Sequence, residues 1–345
     1  MDIIYTKNLN SSIKAYISKT KPSSVFVLVD ENTKKHCLPS VKFKFKYKTI
    51  EIPEGEKNKN IYGITKIWNE LLSQKADRKS LLINLGGGIV TDMGGFAAST
   101  YKRGIKFINI PTSTLAMIDA SVGGKNGINL NFEKNMIGLF ANPEIVYINT
   151  QLLKTLPRKE YLNGLAEAFK HAVLSDENYF DELKKHVKTQ KNTLNIIKKS
   201  IDFKKEITDL DFNENGIRKI LNFGHTIGHA IETYYNLKNK NLKHGEAVIL
   251  GIIGELYLSV KKEKFDNNKA SKTIKDLIRI YDLKKFTDFE NDKIIKYVLN
   301  DKKNQENKIY PILLKNFGNA IYDRSVEIFD IEESLDYIKE LFKDN

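Results

Sequence analysis

Five short runs rich in β-branched and other apolar residues punctuate the first half of the chain: SVFVLVD (24–30), YKTIEI (47–52), SLLINLGGG (80–88), IKFINIP (105–111) and EIVYINT (144–150). Most are continuous rather than alternating, the pattern of strands covered on both faces. Between the second and third, KNIYGITKIWNELLSQ places Ile61, Ile64, Trp68, Leu71 and Leu72 at helical spacing. Strands that alternate with helices predict an α/β layer on a mainly parallel sheet. After TLPRKEY (155–161) the texture changes, and NGLAEAFKHAVLSD, LNIIKKSIDFKKEITDLD, AVILGIIGELYLSVKK and ASKTIKDLIRIYDL read as successive helices. Near the end, KIYPILLKNFGNAIYDR predicts a hairpin turning between Asn316 and Asn319. A last amphipathic helix carries Ile331, Leu335, Ile338 and Phe342 on one face. The expected plan is an α/β N-terminal domain over 1–157 and an all-α C-terminal domain over 158–345.

Composition narrows the class. The 345 residues are 41% apolar and include 7 prolines, as in globular chains. No apolar run approaches a membrane span. The first residues, MDIIYTKNLN, lack the basic head and apolar core of a signal peptide. A single cysteine, Cys37, excludes an intramolecular disulfide and suits a reducing cytoplasm. The net charge of +13 invites a nucleic-acid reading. Its lysines, however, are dispersed among asparagine and glutamate, as in KNTLNIIKKS, with no recognised nucleic-acid module. A solvated basic surface that gathers a small anionic substrate is the simpler expectation.

Two glycine-rich stretches carry candidate chemistry. LLINLGGGIVTDMGGFAA leads from a strand through three glycines into a helical pattern. Such a turn lets the backbone approach a pyrophosphate at a helix N-terminus, in the manner of a Rossmann-like domain. It equally suits a tight helix-on-sheet turn, and Asp92 fits a dinucleotide contact or a helix N-terminal charge. In PTSTLAMIDASVGGKNGINLNFEKNMIGLF, hydroxyls and two lysines lie in a segment apolar enough to be buried. Buried lysines call for an anion, which makes Lys125 and Lys134 candidates for phosphate contact.

LNFGHTIGHAIE (221–232) sets His225 and His229 four apart, on one helix face. A catalytic zinc takes three protein ligands and keeps one position open. Of the 6 histidines, His36 lies in a polar segment without a metal pattern and His186 on a charged helix that reads as solvated. His171, His225, His229 and His244 remain, with Glu167 and Glu246 as nearby carboxylates. Spacing proposes a zinc-like site built from three or four of these and does not choose among them.

Taken in order, GGGIVTDMGGFAASTYKRG, DASVGGKNGIN, EKNMIGLF, LKTLPRKEYLNGLAEAFKH, GIRKILNFGHTIGHAIE and HGEAV resemble the 3-dehydroquinate synthase family. The resemblance runs from PEGEKNK (53–59) to DKK (301–303). It implies an NAD-binding α/β domain, a helical domain, a divalent metal (zinc, with cobalt as an alternative), a cytoplasmic homodimer and a small anionic sugar-phosphate substrate. Carried over by position, the metal ligands are Glu167, His225 and His244. The NAD positions are Glu54, Gly55, Glu56, Lys57, Asn58, Lys59, Gly88, Ile89, Val90, Thr91, Asp92, Thr112, Ser113, Lys125, Lys134, Leu152, Leu153, Lys154 and Thr155. The substrate contacts are Lys125, Asn135, Lys204, Arg218, Asn222, His229 and Lys302, with Arg103 reaching the phosphate from a neighbouring subunit.

The implied substrate, 3-deoxy-D-arabino-heptulosonate 7-phosphate, carries a carboxylate and a phosphate. The resemblance therefore implies two cationic groups: Lys204 and Arg218 for the first, Lys125 and Lys302 for the second. The implied reaction is transient oxidation by NAD, β-elimination of phosphate, return of the hydride and an aldol closure of the ring. Related cyclases differ at positions matching Asn222 and Lys302, and a metal-dependent dehydrogenase would have no use for Lys204 and Arg218 as a carboxylate-binding pair. Three positions depart from the family pattern: Ser113 for threonine, Asn126 for threonine and Glu133 for glycine.

Overall fold

The computed structural model describes residues 1–131, 133–299 and 308–343. The chain divides into two compact units, Met1–Tyr161 and Leu162–Asn345. The first contains β1 (Asp2–Tyr5), α1 (Leu9–Thr20), β2 (Val25–Asp30), α2 (Glu31–His36), α3 (Leu38–Val41), β3 (Lys48–Ile52) and α4 (Ile61–Ser73). It continues through β4 (Leu81–Gly86), α5 (Gly88–Thr100), β5 (Lys106–Pro111), β6 (Lys125–Leu130), β7 (Glu133–Phe140) and β8 (Ile145–Ile148). Six of these strands form one sheet in the order β1-β8-β5-β4-β2-β3, with every pairing parallel. β2 and β4 are buried along almost their whole length, as their unbroken apolar runs require.

β2 leads outward to β3, while β4 and β5 continue on its other side. The order reverses between β2 and β4, and open α/β sheets bind ligands beyond the strand ends at such a point. Gly86 ends β4 and Gly87 caps α5 there. A methyl at Gly86 would meet Val90 Cβ at 2.4 Å, and one at Gly94 would meet the Asn84 amide oxygen at 2.0 Å. Only glycine lets α5 lie this close to the sheet.

Two features of this unit departed from the sequence reading. β1 and α1 were not foreseen, because Asp2–Tyr5 is a half-exposed edge strand of four residues. The lysine-bearing segment after β5 is an antiparallel hairpin, β6–β7, outside the main sheet. Lys125 and Lys134 are consequently exposed, not buried. Overall apolarity indicated a buried segment, but a two-stranded ribbon has two faces and its lysines extend to water.

The second unit is mostly helical, with α6 (Arg158–Val173), α7 (Glu177–Thr189), α8 (Thr193–Leu210), α9 (His225–Leu237) and α10 (His244–Glu263). α11 (Asn267–Ile280), α12 (Asn291–Leu299), the hairpin β9 (Leu313–Asn316) and β10 (Asn319–Ile321), and α13 (Ile328–Glu340) complete it. The hairpin turns where the sequence placed it, and Ile331, Leu335 and Ile338 of α13 are fully buried. α9 and α10 pack through glycines: a methyl at Gly228 would lie 2.7 Å from the Ala247 carbonyl oxygen. None of the described helices is long and apolar enough to cross a membrane.

Candidate active site

In the first unit, several of the candidate NAD segments converge on Lys59. Its ammonium donates to Asp92 Oδ2 at 2.5 Å and to Asn135 Oδ1 at 2.6 Å. The side chain is 4% exposed. Burial alone would lower the Lys59 pKa, but the Asp92 and Glu56 carboxylates together raise it, while burial pushes Asp92 itself up. Asn129 ties the same loop to the β6–β7 hairpin, donating its amide to Glu56 Oε1 at 2.8 Å and its backbone N–H to the Lys59 carbonyl. Glu31 and residues Pro53–Asn58 line a concavity of about 640 Å³. Thr112 donates its backbone N–H to the Gly86 carbonyl at 2.9 Å. Gly87 lies against Ser113, whose hydroxyl would be 3.6 Å from an added methyl. Thr112 and Thr155 both touch the buried Cys37 thiol, which desolvation pushes up despite them.

No side chain caps the N-terminus of α5. Its first amides, set behind Gly86 and Gly87, suit a pyrophosphate, so the residues present fit a dinucleotide. Leu152 and Leu153 are buried, while Lys154 and Thr155 are exposed. Asn126 replaces the family's threonine with a structural role of its own. Its amide nitrogen donates to the carbonyls of Gly124 and Ala141 at 2.9 and 2.8 Å, closing the base of the hairpin. Ser113 keeps a hydroxyl that accepts from the Ala116 amide at 3.2 Å. The Glu133 side chain and Lys302 lie outside the described residues.

In the second unit, α6, α9 and α10 each bring a candidate ligand side chain to one place. Glu167 Oε1 lies 3.2 Å from His244 Nε2 and 3.6 Å from His225 Nε2. Tetrahedral donors about 2.0–2.1 Å from zinc stand about 3.3–3.4 Å from one another, and both of these separations suit such an ion. The other oxygen, Oε2, pairs with Lys170 Nζ at 2.5 Å, and both partners are buried. Burial would raise the Glu167 carboxyl, but Lys170 and the two imidazoles hold it well below the usual range. Burial and the nearby Lys170 ammonium push His225 down, leaving it neutral as a ligand must be. Burial opposes a charge on His244, yet Glu232 and Glu167 together raise it to about 10.

His229, one turn after His225, is the most exposed of the three clustered histidines. Its ring stands 4.9 Å from that of His225, and one nitrogen each of His225, His229 and His244 lie within 4.8 Å of one another. Geometry thus gathers both histidines of the four-residue pair, whereas Glu167 contacts His225 and His244. His171, four residues after Glu167, also brings a ring nitrogen within 4.8 Å of a Glu167 oxygen, whereas Glu246 and His186 are engaged differently. His171 is fully buried beside the Phe203 ring, 5.5 Å away. Glu246 accepts the Lys243 amide at 2.8 Å as a helix cap. His186, expected to be solvated, is 3% exposed with Nδ1 2.6 Å from the Lys191 carbonyl. The charged residues around it occupy the other faces of α7.

The side chains that support this cluster are not themselves candidate ligands. Glu255 of α10 is fully buried and accepts from the amides of Gly224 and Thr226 at 2.8 and 3.2 Å. It therefore caps α9 on either side of His225. Asn163 of α6 accepts from the Gly245 amide at 2.6 Å and pins the start of α10 beside His244. His225 Nδ1 lies 3.1 Å from the Phe223 carbonyl, which leaves Nε2 for the ion. Lys170, Asn163 and Glu255 were not singled out from sequence; their spacing to the ligands is visible, but their partners lie on other elements.

The substrate-facing candidates of this unit adjoin one another along the chain or by packing. Lys204 of α8 is 7% exposed, and α8 packs on the short turn Ile217–Asn222. Arg218, 1% exposed, donates from its guanidinium to the Phe212 carbonyl. Its backbone amide joins those of Asn215 and Gly216 on the Asp211 carboxylate, at 3.1, 3.0 and 2.7 Å. Asn222 donates to Glu214 Oε1 at 2.7 Å. In the first unit, Lys125, Asn135 and Arg103 are exposed. Arg103 sits at φ 66, after Lys102 at φ 50, so two consecutive non-glycine residues adopt a left-handed turn.

Comparison with known proteins adds the family. The sequence pattern of the 3-dehydroquinate synthase N-terminal domain matches residues 49–163, and that of the C-terminal domain matches 164–304. A 3-dehydroquinate synthase of Parabacteroides distasonis is 41% identical over 99% of this chain and 98% of its own length. Among solved structures, the 2-epi-5-epi-valiolone synthase ValA of Streptomyces hygroscopicus subsp. jinggangensis, with NAD+ and Zn2+ bound, matches with a TM-score of 0.85 at 21% identity. That match covers 99% of this chain and 97% of ValA. A 2-deoxy-scyllo-inosose synthase complexed with carbaglucose-6-phosphate, NAD+ and Co2+ matches at 0.83 and 22% identity, over 98% and 96% of the two chains. The fold is shared with these cyclases, and by its full-length sequence identity the chain belongs to the 3-dehydroquinate synthase family.

Proposed function

We propose that this enzyme converts 3-deoxy-D-arabino-heptulosonate 7-phosphate to 3-dehydroquinate and inorganic phosphate, using NAD that is reduced and reoxidised within each turnover. The observation that carries the reading is the meeting of Glu167 with His225 and His244 through one carboxylate oxygen. Glu167, His225 and His244 would hold a divalent cation, zinc or cobalt, whose Lewis acidity would be supplied at the substrate hydroxyl being oxidised. The α5 N-terminus and the loop ordered by Lys59 would hold NAD, which would supply a reversible hydride acceptor.

The chain's own residues bind and orient. Arg218 offers the planar fork that a carboxylate matches, and Lys204 adds a second charge. Lys125, Lys302 and His229 take the phosphate, with Arg103 arriving from the neighbouring subunit of a homodimer. Asn135 and Asn222 hydrogen-bond the substrate. Lys170 keeps Glu167 ionised and turns its other oxygen toward the histidines. Holding one conformer lets the departing phosphate accept the proton released in its own elimination, so these groups work chiefly by orientation.

The deciding assay supplies zinc-loaded enzyme with the heptulosonate phosphate and substoichiometric NAD. Inorganic phosphate should far exceed the NAD present while no NADH accumulates. Stoichiometric NADH, or turnover of a heptose 7-phosphate lacking the carboxylate, would contradict the proposal. A separate prediction concerns the carboxylate. Lys204→Ala and Arg218→Ala each remove a charged hydrogen bond worth about 1.5–3 kcal/mol, which corresponds to a KM raised about 10- to 100-fold. Bound metal, measured on the same samples, should stay at the wild-type level; a fall in both variants would refute the assignment.

A further inference from the structure

We propose that Glu232 is a positioning residue for the metal site, acting through His244. Its carboxylate holds the Nδ1–H of His244 and so presents Nε2 to the cation. This rests on the reading of Glu167, His225 and His244 as ligands.

Glu232 Oε2 lies 3.3 Å from His244 Nδ1, while Nε2 of the same ring points at Glu167 Oε1, 3.2 Å away. A neutral imidazole has one donor nitrogen and one acceptor nitrogen. Without a cation both ring nitrogens face carboxylates and both donate; a cation taken at Nε2 would displace that proton, and Glu232, which only accepts, would keep the remaining one on Nδ1. Glu232 is 3% exposed, and a buried carboxylate is retained when it is paired. It stands two helical turns after His225 on α9, so the helix that carries one ligand also orients another that heads α10. The two imidazoles differ in this respect: His225 has the neutral Phe223 carbonyl at 3.1 Å, and His244 has a full negative charge. A carboxylate behind an imidazole raises the ring's basicity as well as fixing its angle. Glu232 thus completes a chain of carboxylate, imidazole and cation with no direct contact to the ion.

The test is competitive zinc titration against a chromophoric chelator, on metal-stripped full-length protein. Wild type, Glu232→Gln, Glu167→Ala, His244→Ala and the Glu232→Gln/His244→Ala double variant are compared. Glu232→Gln, which keeps the shape and loses the charge, should weaken zinc binding about 10- to 100-fold. The visible spectrum of its cobalt form should shift as well, a change that loosened packing elsewhere would not produce. The cost of Glu232→Gln should nearly vanish once His244 is alanine, because the effect passes through that ring. Should Glu232→Gln fail to fold, Glu232→Asp retains the charge at a shorter reach and is expected to show a smaller but measurable weakening. Wild-type affinity in the glutamine variant, or a cost undiminished in the His244→Ala background, overturns the proposal. If Glu167→Ala also binds zinc as wild type does, the ligand reading itself falls; if Glu167→Ala alone loses zinc, that reading stands without Glu232.

Discussion

Glu167→Ala is expected to strip the bound metal and lower turnover by about 10³-fold. Lewis-acid stabilisation by a bound metal is worth several kcal/mol, and about 1.4 kcal/mol corresponds to a factor of ten. The change removes the one oxygen that both His225 and His244 approach, at 3.6 and 3.2 Å. It also leaves Lys170, 2% exposed, without its 2.5 Å carboxylate partner. Stranding one member of a buried pair costs about 3–5 kcal/mol, so the metal-free variant should also melt below metal-free wild type. Metal analysis, phosphate-release kinetics and thermal melts of the stripped proteins measure the three effects separately. Retention of stoichiometric zinc would remove Glu167 from the ligand set.

Gly251→Ala should be nearly as damaging, although residue 251 is not a candidate ligand. A methyl there would lie 1.8 Å from the Gly224 carbonyl oxygen and 2.7 Å from the Gly228 amide nitrogen. Both are backbone atoms at the start of α9, and no rotamer change relieves the clash. Overpacking costs about 1–3 kcal/mol, and a rigid backbone obstacle places this case near about 3. For a unit of this size that corresponds to a melting point lower by roughly 6–12 °C. The consequence for the site follows from the same geometry. Pushing α9 from α10 separates His225 from His244, so zinc affinity should fall together with stability. A melt and a zinc titration indistinguishable from wild type would show that the two helices do not cross as described.

The elements legible in sequence were those whose evidence is local. Continuous apolar runs identified the inner parallel strands, and helical spacing identified α4 and α13, because backbone geometry alone sets periods of two and 3.6 residues. The weaker readings were inferences about surroundings. Lys125 and Lys134 sat in an apolar stretch yet lie exposed on a ribbon, while Lys59, one of six consecutive loop candidates, is the buried node that joins Asp92 and Asn135. His186 looked solvated beside its lysines and is instead bonded to the Lys191 carbonyl.

The pair in LNFGHTIGHAIE shows where the division falls. Sequence alone determined that His225 and His229 share a face of one helix, and that Glu232 follows two turns on, since helical rise and twist require nothing else. Which histidine meets a carboxylate, and that Glu232 backs His244 rather than water, was decided only by how α6, α9 and α10 pack. Glu167 and His244 are 77 positions apart, and their contact depends on close approaches at Gly245 and Gly251. Periodicity is a property of one segment, whereas a site is a meeting of several, and only the packed core specifies which atoms meet.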